Sequence, residues 1–186
     1  MPLVNIRVKC TLISYSFYLT TKTRAEQTSP LTPNNIMNVL LIISLILIIT
    51  LLLLIVKNNK TPTNLGVING LLACIPKTPN AVSSQTTEKD KKVEPFPFKH
   101  GLQESKYSIK EVLDIYDGIE IFEEDKNYIY AVSTTSKMRF HDDIEFFFDE
   151  RTKVVHFRSA SRVGYFDMGL NRKRYNLLRK EYKAMT

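Results

Sequence analysis

The residues best equipped for chemistry lie in one stretch near the C-terminus. It opens Arg139-Phe140-His141-Asp142-Asp143-Ile144-Glu145-Phe146 and continues through Arg158-Ser159-Ala160-Ser161-Arg162-Val163-Gly164 to Asp167-Met168-Gly169-Leu170-Asn171-Arg172-Lys173-Arg174. Two kinds of site use such residues. Guanidinium groups, hydroxyls and the first amides of a helix hold anions, and a carboxylate with a shifted pKa does acid–base work. The candidate anion- or partner-binding residues are Arg158, Ser159, Ser161, Arg162, Asn171, Arg172 and Arg174, with Asp142 and Asp167 as candidate buried polar anchors. A purely structural arrangement competes, in which the two aspartates satisfy the arginines internally. No P-loop, nucleophile elbow or HExxH pattern occurs, so no catalytic residue is assigned. Three histidines (His100, His141, His156) and two cysteines (Cys10, Cys74) are too scattered for a metal site or a disulfide framework, so neither metal nor cofactor is expected.

A β-hairpin must position most of these groups. With its turn at Glu150-Arg151, Phe148 faces Lys153, Phe146 faces Val155 and Ile144 faces Phe157. The same register sets Glu145 against His156 and Asp143 against Arg158, so hydrophobic pattern and charge agree. Phe140, Ile144, Phe146 and Phe148 then form a core face. Arg139, His141, Asp143, Glu145, His156 and Arg158 form a charged face, read as solvent-exposed. Asp142 stands on the apolar face, where a lone carboxylate is costly, and Ser159, Ser161 and Arg162 are its expected donors.

Around the hairpin, Ser108-Ile109-Lys110-Glu111 matches a capping box for a helix lined by Ile109, Val112, Leu113 and Tyr116 and stopped at Gly118. Ile119–Glu123 and Tyr128–Ser133 read as a first hairpin, and Asn171 as the cap of a last, basic helix, Arg172–Met185. Pro95-Phe96-Pro97-Phe98 reads as an extended segment docking two aromatics. The order helix, four strands, helix predicts an α+β fold, a small four-stranded antiparallel sheet flanked by helices, over residues 95–186.

Upstream, Ile36–Val56 carries no charge, proline or glycine. At 1.5 Å per residue it reaches ~31 Å, the thickness of a bilayer core, and it is read as a single transmembrane anchor. A signal peptide is the rival, but the run exceeds a normal h-region and no small-residue cleavage site precedes Lys57. Residues 57–94 read as a Pro/Thr/Ser/Lys-rich linker. Residues 1–35 read as an N-terminal tail, dispensable if translation starts at Met37. Lys22 and Arg24 before the span nearly balance Lys57 and Lys60 after it, so charge does not set the orientation.

The formal charge of +7 favours acidic partners. The membrane is the first, with anionic lipid, a small anion or a protein partner beside it. Nucleic acid ranks last, because no aromatic stacking platform is evident. The leading reading is a non-enzymatic, membrane-anchored binding or envelope module. The alternatives are a hydrolase-like enzyme built on Asp142 with a neighbouring arginine, or a basic nucleic-acid-binding module.

Pro79-Asn80-Ala81-Val82-Ser83-Ser84-Gln85, the Arg139–Phe146 string and the Arg158–Gly164 and Asp167–Arg174 blocks resemble an uncharacterised family, domain of unknown function fourteen-ninety-nine. The resemblance runs from about Leu71 to the C-terminus. It implies a membrane-associated α+β domain and brings no reaction or cofactor. Members often carry Cys where this chain has Ala81, a pattern that favours an extracytoplasmic domain. Without that partner Cys74 is left free here, which weighs the other way together with Lys57 and Lys60.

Overall fold

An unbroken apolar run with proline at its first position propagates as one helix. In the computed structural model, which describes residues 32–185, helix α1 covers Pro33–Asn59. Its 27 residues extend about 40 Å, and it is long and apolar enough to cross a membrane. Its large apolar side chains from Ile36 to Val56 are exposed. The tail read over residues 1–35, with its alternative start at Met37, lies almost wholly outside the described residues. The chain divides at Leu51–Leu52 into two units, and the second carries the end of α1 and all that follows.

That second unit is an α+β fold on an antiparallel sheet. In chain order the strands are β1 (Val67–Ile68), β2 (Leu71–Leu72), β3 (Ala81–Ser83), β4 (Phe96–Pro97), β5 (Ile119–Asp125), β6 (Tyr128–Thr134), β7 (His141–Asp149) and β8 (Val154–Ser161). Helix α2 spans Leu102–Ile115 between β4 and β5, and α3 spans Leu170–Ala184 after β8. β1 and β2 form a separate hairpin. The main sheet has six strands, ordered β3-β8-β7-β6-β5 with β4 also on β8. The expected four-stranded sheet is corrected here: β3 and β4 lie end to end along the free edge of β8, where Val82 faces Ser159 and Phe96 faces Val155. Both fall where chain pattern is silent, since two or three residues are too few to alternate and Pro97 suits only an edge strand.

Four other expectations change. The β7–β8 turn runs over residues 150–153, held by Asp149 accepting from the Arg151 amide and the Thr152 hydroxyl, with Lys153 at a positive φ of 56°. Phe148 therefore faces Val155, Phe146 faces Phe157, Glu145 faces Arg158 and Asp143 faces Ala160. The slip is two residues, so every side chain keeps its face. Helix α2 starts at Leu102, which puts Ser108 in its buried middle and not at a cap. Asn171 lies inside the first turn of α3, and Asp167 takes over the capping, accepting from the amides of Gly169 and Asn171. Phe140 precedes β7 and is 42% exposed, outside the core.

One face of the sheet packs under α2 and α3. Ile144, Phe146, Phe148, Val155 and Phe157 meet Ile109, Val112 and Leu113 from α2 and Tyr175, Leu178 and Tyr182 from α3. Phe96 sits at the centre, its ring 5.3–5.9 Å from those of Phe146, Phe157, Tyr175 and Tyr182. Phe98 packs more shallowly against Phe148, so the Pro95–Phe98 segment docks both aromatics. The opposite face holds a smaller core of Tyr128, Tyr130, Val132 and Phe147, closed by Leu72 with Leu65 and Val67. Residues read as linker thus form that cover.

Candidate functional site

Two polar clusters lie on opposite faces of the β7–β8 pair, near the end where β7 begins. Strand alternation sends Asp142 to the helix-covered face and Asp143 and Glu145 to the other.

On the helix-covered face, Asp142 accepts from Arg174 Nη2 at 2.7 Å. Arg174 also donates through Nη1 to Asn171 Oδ1 at 2.9 Å and to Ser159 Oγ at 3.2 Å. The Asn171 amide group donates to Ser161 Oγ, Asp167 Oδ2 and the Asn80 carbonyl at 2.9–3.0 Å. Asp142, Arg174, Ser159 and Asn171 are all buried. The first turns of α3 therefore roof the polar end of the core. Ser159, Ser161 and Arg162 are the expected donors to Asp142; the two serines join its cluster, but the arginine is Arg174, one turn into a helix whose docking sequence spacing alone does not define.

On the second face, Glu145 accepts at Oε1 from Tyr128 Oη and the Gly66 amide, each at 2.8 Å, and at Oε2 from Arg158 Nη1 at 2.6 Å. Asp143 accepts from Tyr130 Oη at 2.7 Å and from Arg162 Nη2 at 2.8 Å and Nε at 3.0 Å. Arg162 reaches on through Nη1 to the Asn58 carbonyl at 3.1 Å. The Asn58 side chain donates to the Arg139 carbonyl at 2.8 Å and accepts from the His141 amide at 2.9 Å. Asp143, Glu145 and Arg158 are at most 4% exposed, which corrects their assignment to solvent. Charge pattern alone misleads here, because opposite charges that face each other tolerate burial once a cover excludes water. The cover is residues 57–72, whose short β1–β2 hairpin rests on positive φ at Gly66, Asn69 and Gly70.

The electrostatics follow from this burial. Burial, then the Glu145 carboxylate, push the Tyr128 phenol far up. Burial and the hydrogen bond to Asp143 do the same for Tyr130. Burial opposes the charge on Arg162, yet its bonds to Asp143 outweigh this and raise its pKa. Both phenols are locked as neutral donors and Arg162 as a cation. Half-buried His156 stacks on Phe147 at 5.9 Å, and burial lowers its pKa.

Of the predicted binding residues, Arg158, Arg162 and Arg174 are committed to Glu145, Asp143 and Asp142, and Ser159, Ser161 and Asn171 join the Asp142 cluster. Arg172 stands apart. It is half-buried, donates to the Asp90 carbonyl at 2.7 Å, and lines an open cleft of about 520 Å³ with Lys89, Asp167 and Phe166. The sequence sets Glu145 against His156 on a charged face, whereas it is buried against Arg158, and it gives no role to Asn58 as a junction. Glu145 was visible as a charge inside a phenylalanine run, whereas Asn58 carries no signal beside the lysines around it. Among the described residues no cluster of three or more His, Cys, Asp or Glu is placed to hold a metal.

No curated protein and no solved structure matches the chain. The Asp142–Arg174 and Asp143–Arg162 pairs, Ala81 of β3 and most of α3 all fall within residues 71–182, where one family matches. The chain belongs to that family, described as Protein of unknown function (DUF1499).

Proposed function

We propose that this is a single-span membrane protein whose C-terminal domain is a non-enzymatic binding or envelope module, held on the extracytoplasmic side. The observation that carries the reading is the state of its carboxylates. Asp142, Asp143 and Glu145 are each buried against an arginine and further donors, so the groups that would do acid–base work are spent on holding the fold. A helix exposing apolar side chains on every side calls for lipid around it. Contact with an anionic partner then falls to the half-buried Arg172 and to Lys89, which line the same cleft, not to the buried arginines.

Full-length chain should remain with membranes through an alkaline carbonate wash, and its release would end the anchor reading. Asp142→Asn separates a structural from a catalytic carboxylate. Wild-type melting with loss of a ligand or activity would favour a site, whereas a large fall in melting temperature supports the module. Exposed Cys74 reports the side in a Cys10→Ser background: a thiol reagent that cannot cross membranes should label it in intact cells.

A further inference from the structure

The apolar span ends at Val56, and the first charge, Lys57, marks the edge of the hydrocarbon. One residue later, Asn58 is hydrogen-bonded to the carbonyl of Arg139, the amide of His141 and the guanidinium of Arg162. Two segments leave the sheet at this end. The loop between β6 and β7 carries Lys137-Met138-Arg139-Phe140, and the segment from β8 to α3 carries Tyr165, Phe166 and Met168. All five apolar side chains point outward: Met138 is 67% exposed, Phe140 42%, Tyr165 74%, Phe166 60% and Met168 75%. Two other aromatics of the domain are exposed, Tyr107 on α2 and Phe122 on β5, each on a separate element. Lys137 and Arg139 flank Met138 in the chain, and Lys57 and Lys60 flank the Asn58 segment that is bonded to the Arg139 carbonyl.

We infer that these two loops form a lipid-facing fringe that sits in the headgroup layer of the bilayer that α1 crosses. The inference rests on the membrane-anchor reading. Headgroup regions add roughly 5–8 Å beyond each face of the hydrocarbon, and residues bonded directly to Asn58 lie within that depth. Aromatic rings with polar edges favour this layer, and the nearby lysines and arginine match anionic headgroups.

The chain contains no tryptophan, so a single introduced one reports alone. Full-length chain carrying Met138→Trp or Phe166→Trp is reconstituted into phosphatidylcholine/phosphatidylglycerol vesicles containing shallow brominated lipids. Leu47→Trp in the span and Arg151→Trp at the far tip of the β7–β8 hairpin serve as references. The far tip lies about 26 Å along β7 from His141. The loop probes should emit to the blue of Arg151→Trp and lose intensity to the bromines, as Leu47→Trp does. A water-like, unquenched spectrum at either loop with Leu47→Trp quenched overturns the fringe alone. An unquenched Leu47→Trp overturns the anchor and the fringe with it.

Discussion

Replacing Arg158 by methionine keeps an unbranched apolar stem and removes the guanidinium with its charge. Glu145 Oε2 then loses its 2.6 Å partner, while Oε1 keeps Tyr128 and the Gly66 amide. The carboxylate is fully buried, so a desolvated negative charge is left half satisfied. Breaking such a pair costs about 3–5 kcal/mol, against ~0.2–1 kcal/mol for the same pair in water. At roughly 4 °C per kcal/mol for a domain of this size, the melting temperature falls by about 12–20 °C. Thermal unfolding of full-length chain in neutral detergent, followed by circular dichroism, measures this. The double variant Arg158→Met/Glu145→Gln removes the stranded charge and keeps an oxygen for Tyr128 and Gly66. It should therefore recover about 1–3 kcal/mol of the loss. A single-variant drop of less than ~4 °C, near 1 kcal/mol, would mean that water reaches Glu145 and that residues 57–72 do not seal this face.

Two further outcomes follow from the same packing. At Gly118 φ is +78°, and an added Cβ would lie 2.8 Å from the Thr134 carbonyl oxygen, so Gly118→Ala should lower stability by about 1–3 kcal/mol in the same unfolding assay. His156 holds its proton more weakly in the fold than its ordinary value of 6.5, so the unfolded chain protonates first and stability falls as pH drops through 6.5 toward the folded-state value. Replacing it with glutamine should flatten that part of the stability–pH profile, and an unchanged slope would place the titration elsewhere.

Period and composition determined much of this protein. A run of uncharged apolar residues can only be a long helix, and alternation in Phe146, Phe148, Val155 and Phe157 fixed which side chains point to the same face of the sheet. Even a pairing register that slips by two residues preserves those faces, because the strand period is two. The Pro95–Phe98 aromatics, the first hairpin and the apolar stripe of Tyr175, Leu178 and Tyr182 were legible for the same reason. Only tertiary structure decided whether the second face was wet. Asp143, Glu145 and Arg158 look like surface residues in any local window, and their burial depends on Gly66, Leu65 and Leu72 arriving from more than seventy residues upstream. The partner of Asp142 was equally invisible, since nothing local chooses between Arg162 and Arg174 until α3 docks. Ion pairing between distant segments leaves no periodic trace in a chain, and so only the fold shows that Arg158, Arg162 and Arg174 pair with Glu145, Asp143 and Asp142 on opposite faces of the sheet.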